Sequence, residues 1–78
     1  MVAFHELPTL KARDIIKALS RAGFVQHRQK GSHVILKHED TGKRTVVPNH
    51  PRETISKALL TEIIEQAGLS IKEFLDFL

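Results

Sequence analysis

A chain of 78 residues with 12 Lys or Arg, 9 Asp or Glu and 5 His carries a formal charge of +3. That length holds one domain, expected over 1–78, which buries only about 60% of the surface its unfolded chain exposes, so a large cofactor or a deep multi-residue cavity is excluded and any site belongs on an open surface. There is no cysteine, which excludes disulfides and thiolate zinc sites and suits a reducing compartment. No apolar run approaches the roughly 18 residues of a membrane span, and Met1–Leu10 lacks a charged start followed by an apolar stretch, so the expectation is a soluble, cytoplasmic protein that does not meet a membrane.

Residues 1–8 have no period and read as a short, partly ordered arm. Thr9 is the expected N-cap of a helix over about 10–22, with Asp14 in its early turns, the apolar series Ala12, Ile15, Ile16, Leu19 and Ala22, and Gly23 as its stop. Phe24 to Arg28 reads as a strand, Gln29-Lys30-Gly31 as a turn, and Ser32 to Lys37 as a second strand. Glu39 to Gly42 is a tight turn, and a third strand from Lys43 or Arg44 to Val47 ends at Pro48, giving an antiparallel meander. A loop rich in Pro, Asn and His leads to a helix over about 55–67 with the stripe Leu59, Leu60, Ile63, Ile64 and Ala67, stopped by Gly68. Ser70-Ile71-Lys72-Glu73 is a capping box that opens a short last helix bearing Phe74, Leu75, Phe77 and Leu78. Those apolar residues either close the core or present a patch to a partner, with the core favoured. The class is α+β, ordered α-β-β-β-α plus a short C-terminal helix. Both main helices cover one face of a three-stranded antiparallel sheet and leave the other open.

The charge is unevenly placed. Between Arg21 and Arg52 stand seven cations (Arg21, Arg28, Lys30, Lys37, Lys43, Arg44 and Arg52) against Glu39 and Asp40, together with His27, His33, His38 and His50. From Glu53 onward Lys57 and Lys72 face five acids, so the centre of the chain is the basic part. Within it, Lys30-Gly31-Ser32-His33 joins a turn glycine, where a ligand can approach the backbone, to a histidine flanked by Arg28 and Lys30. Strand alternation puts His33, Ile35 and Lys37 on one face and Ser32, Val34 and Leu36 on the other. The more apolar set belongs under the helices, which leaves His33 and Lys37 on the open face. Imidazole moves a proton near neutral pH, and metal-free RNA cleavage needs such a group by the 2′-hydroxyl with cations to balance the phosphate. The same spacing also suits a plain surface histidine in a strand.

Val47 to Arg52 either sets His50 and Arg52 beside a phosphate or is simply a rigid connector. A histidine metal site is disfavoured, because His33 and His38 point to opposite faces and no H-x-x-x-H pair exists. No serine–histidine–carboxylate triad, glycine-rich phosphate loop or carboxylate pair is evident. Phe is the only aromatic residue, which argues against a base-stacking platform.

The strings Ala22-Gly23-Phe24, Arg28-Gln29-Lys30-Gly31-Ser32-His33, Thr45-Val46-Val47-Pro48 with His50, and Ile63-Ile64-Glu65-Gln66-Ala67-Gly68-Leu69 together resemble the HicA (YcfA-like) mRNA interferase family over about 9–69. That resemblance implies a double-stranded-RNA-binding-domain-like fold and a toxin of a type II toxin–antitoxin pair. It further implies cleavage of mRNA, without a cofactor or metal, by one histidine on the second strand, here His33. Its partner would be a HicB-type antitoxin that covers the site. Arg28, Lys30, Gly31, Ser32, Lys37, His50 and Lys57 would then bind RNA. The chain departs from the family pattern at Phe24, often Trp, and at Ser56, Ala58 and Leu59, often Pro, Gly and Thr; Thr61, Glu62 and Glu65 make the second helix less basic. Two rivals stand beside the nuclease: a non-catalytic RNA-binding module that reads shape and phosphates, and a protein-interaction domain using the apolar C-terminal tail.

Overall fold

In the computed structural model, which describes residues 6–78, a short strand β1 (Leu10–Lys11) leads into helix α1 (Ala12–Arg21). Strands β2 (Phe24–Lys30), β3 (His33–His38) and β4 (Arg44–Pro48) follow, then a short strand β5 (Thr54–Ile55) and helices α2 (Lys57–Gln66) and α3 (Ile71–Asp76). β2, β3 and β4 form one antiparallel sheet in that order, with the helices on one side. The expected α+β arrangement is thus present, with its short C-terminal helix.

Alternation along the strands decides which side chains meet the helices. Val34, Leu36 and Val47 point inward and are at most 2% exposed. They pack with Ile15 and Leu19 of α1, Leu60, Ile63 and Ile64 of α2, and Phe74 of α3, in one core that also takes Phe24. Phe74 is fully buried, with Leu75 and Phe77 partly buried against it, so the last helix closes the core and only Leu78 is left outside. Leu7 also enters the core, so the end of the expected arm is packed; residues 1–5 of that arm lie outside the described residues.

Three boundaries differ from expectation, each for a visible reason. Leu10 and Lys11 pair with Ile55 and Thr54 in a two-rung ladder. Extended backbone at both places delays α1 to Ala12 and α2 to Lys57. Lys11, not Thr9, is therefore the N-cap of α1, and its N–H donates to Asp14 Oδ2 at 3.1 Å. Ser56 caps α2, its hydroxyl oxygen accepting from Leu59 N at 3.2 Å. The third difference is in the first hairpin. β2 runs through Gln29 and Lys30, and Lys30 pairs with His33, so only Gly31 and Ser32 form the loop. Gly31 takes φ of +59° at the first loop position, the conformation that a type II′ hairpin requires and glycine supplies without strain.

Two polar anchors complete the frame. Thr45, buried on the inner face of β4, places its hydroxyl 3.3 Å from Ile63 O and 3.0 Å from Gln66 Oε1, tying β4 to the end of α2. His38, on the covered side, packs edge-on to Phe24 at 5.1 Å. Its Nδ1 accepts from Asp40 N and Thr41 N, both at 3.2 Å, which leaves Nε2–H to donate to Ala22 O at 3.2 Å.

Candidate functional site

The face of the sheet away from the helices is a grid set by strand register. Its first row is Lys30, His33 and Pro48; the second is Arg28, Ile35 and Val46; the third is Val25, Lys37 and Arg44. Residues directly opposite across an antiparallel pair share a face with Cβ atoms about 4.5–5.5 Å apart. None of these positions carries a carboxylate. His33, Arg28, Lys30, Arg44, Val25 and Val46 are exposed, and Ile35 and Lys37 half-buried.

The cations reach this face because β2 is irregular. The register shifts between Gln26 and Arg28, with His27 as the extra residue of a bulge. Unbroken alternation from Val25 would turn His27 and Gln29 outward, and Arg28 and Lys30 toward the helices. The bulge reverses that. Lys30 becomes the direct neighbour of His33, and Arg28 sits one row away. Lys37, two rows from His33 on the same strand, lies about 13 Å along it at ~3.3 Å per residue, so it and its neighbour Arg44 stand too far along the sheet to share one small anion with the His33 ring.

The loop leading into His33 is held at both ends. Gln29 Nε2 donates to Gly31 O at 3.1 Å, and Asn49 N donates to Ser32 O at 2.7 Å. A side chain at Gly31 would meet nothing within 4 Å, so the backbone there is open to a ligand. No described residue hydrogen-bonds to the His33 ring. The ring opens instead onto a cleft of about 310 Å³ between β4 and α2, walled by Val46, Pro48, Leu59 and Ile63. Glu62 and Gln66, one turn apart on α2, supply its other polar groups.

The expected site residues divide into two groups. Arg28, Lys30, Gly31, Ser32 and Lys37 gather with His33 on the open face or its hairpin. His50 instead lines a separate hollow with Pro51, Arg52 and Glu53, and Lys57 opens α2 without lining the His33 cleft. Sequence reasoning missed Arg44, Leu59, Glu62 and Gln66. The signal for the last three was present in the 59-62-63-66 spacing, which marks one flank of a helix. Among the described residues no group of three or more His, Asp or Glu is placed to hold a metal ion.

Residues 12–69 match the family model described as the HicA toxin of bacterial toxin–antitoxin systems. No curated protein matches the chain.

Proposed function

This chain belongs to the HicA toxin family of bacterial toxin–antitoxin systems, and from that premise we propose that it is a metal-independent endoribonuclease that cuts mRNA with His33. The observation that carries the reading is an exposed, unheld imidazole whose immediate cross-strand neighbour is a lysine. His33 serves as the general base or acid. The 2′-oxygen attacks the adjacent phosphorus, its proton leaves, and the bond from phosphorus to the 5′-oxygen breaks as that oxygen gains a proton. His33 handles one of those protons. Lys30 and Arg28 offset the charge that builds on the phosphate, and the backbone N–H groups of Gly31 and Ser32 assist on the hairpin side. Lys37, with His50 and Lys57 at the edges, holds flanking RNA. No metal or cofactor takes part.

The partner is a HicB-type antitoxin that covers the open face, and the place of action is the cytoplasm. No helix of the described residues is long and apolar enough to cross a membrane.

The test is cleavage of end-labelled mRNA in excess chelator by the wild type and by His33→Ala. Fragments from the wild type and none from the variant, with both folded, support the reading. Undiminished cutting by His33→Ala overturns His33 as the cutting residue. Salt-sensitive binding by the wild type without cutting would make the protein a non-catalytic RNA-binding module.

A further inference from the structure

We infer that the cleft between β4 and α2 seats one unpaired guanine base of the RNA, read by Glu62 and Gln66. The inference rests on the reading of His33 as the residue that acts on RNA. His33 stands at a boundary between two chemistries. On its β2 side are Lys30 and Arg28, a place for phosphate. On its β4 side is a cleft with aliphatic walls at Val46, Leu59 and Ile63, a carboxylate at Glu62 and no Lys or Arg among its lining residues. A carboxylate repels a phosphate, and aliphatic walls offer it nothing. They suit the flat, weakly hydrated faces of a base, and single-stranded RNA is the form in which bases are free to be splayed into such a place. The volume, about 310 Å³, is at the small end of ligand clefts and suits one base rather than a run of nucleotides.

The polar groups choose among the four bases. Glu62 presents two acceptor oxygens side by side. The Watson–Crick edge of guanine presents two adjacent donors, N1–H and the N2 amino group, followed by the acceptor O6. Adenine and cytosine offer a single donor group on that edge, and uracil sets one N–H between two carbonyls that repel a carboxylate. Gln66 comes one helical turn after Glu62, and its Oε1 is engaged by Thr45 at 3.0 Å. That leaves Nε2 as a donor, as O6 requires. The order along α2, double acceptor then donor, matches the order along guanine, double donor then acceptor. A base read on this edge cannot be paired, so the same recognition excludes duplex RNA from the site.

The experiment uses His33→Ala, so that bound RNA stays intact, and short oligouridine strands carrying one central G, A or C. The G strand should bind at least about tenfold tighter than the others, the scale of a good bidentate base contact. Inosine, which lacks the N2 amino group, should lose part of that preference. Adding Glu62→Gln should erase it, and annealing a complementary strand should abolish it. Equal binding of all the strands overturns the inference, as does a G preference that survives Glu62→Gln. If Glu62→Gln in the otherwise wild-type chain slows cutting of every sequence alike and removes one limb of the pH–rate profile, Glu62 transfers a proton and the base seat is wrong. Failure of the wild type to cut any RNA sinks the nuclease reading alone, because the binding preference is measured without cutting.

Discussion

His33 and His38 stand at opposite ends of β3 and on opposite sides of the sheet. His38 is held on every side. Two backbone N–H groups point at Nδ1, Ala22 O receives Nε2–H, and Phe24 packs against the ring. His33 has no described hydrogen-bond partner, a lysine beside it and a cleft in front of it. The pair shows how one strand assigns one residue type to two tasks. A ring with both nitrogens engaged by the backbone organises a turn. A ring with no described partner on either nitrogen leaves both for a ligand. The difference is set by alternation and neighbours, not by anything intrinsic to the residue.

Exchanging the two losses tests that division most severely. His33→Ala should lower the cleavage rate by about 10²–10⁴-fold, the range for general acid–base catalysis, with no change in melting temperature. His38→Ala should do the opposite. It removes the part-buried bond to Ala22 O and the edge-on contact with Phe24, while the exposed Asp40 and Thr41 N–H groups turn to water, and costs about 1–3 kcal/mol in all, which lowers the melting temperature by roughly 4 °C or more in a domain this small. Cutting per folded molecule should persist. Thermal melts beside cleavage rates decide the matter, and a His33→Ala variant that loses stability and activity together would break the comparison.

The same contrast extends to the cations. Arg28→Ala or Lys30→Ala should reduce the slope of log K against log salt for single-stranded RNA by about 0.7 each, the value for one phosphate no longer neutralised by the protein. Lys43→Ala, in the turn beyond the open-face grid, should leave the slope unchanged. Titrations at several salt concentrations, with His33→Ala as the background, give the slopes directly. Equal slopes in all three variants would mean that the grid does not define the phosphate path.

The arrangement of elements and the side on which His33 lies followed from periodicity, because a period of two leaves a strand only two choices and Val34 and Leu36 are unmistakably the inner set. The β1–β5 ladder did not follow. Two-residue strands have no period, and their partners are far apart in the chain. Nor did the bulge at His27, since an inserted residue shows only when the register against β3 is known. Without it, Arg28 and Lys30 would be assigned to the helix side. The place of Glu62 and Gln66 in the cleft beside His33 depends on how α2 docks along β4, which rests on the buried hydroxyl of Thr45 and on packing across the core rather than on local pattern.

The smallest effect belongs to the capping box, which was evident from Ser70 and Glu73 alone. Ser70 N donates to Glu73 Oε1 at 2.9 Å, and Glu73 N donates to Ser70 Oγ at 3.1 Å. The Ser70 backbone N–H first, then its hydroxyl and the charge of Lys72, hold the Glu73 carboxyl below its ordinary value. A carboxyl lowered on folding stabilises the native state above its unfolded value, and that contribution is lost as pH falls through its folded value. Glu73→Gln should therefore melt slightly below the wild type at neutral pH, and the gap should close on acidification through the carboxylate range. Because Glu73 is fully exposed, solvent screening keeps the difference small. Ser70→Ala, which removes the cap itself, should cost about 1 kcal/mol and keep most of that cost at low pH, where the serine oxygen still accepts from the Glu73 N–H. A gap for Glu73→Gln that stays constant or widens toward acid would mean that the carboxylate is not what this box holds.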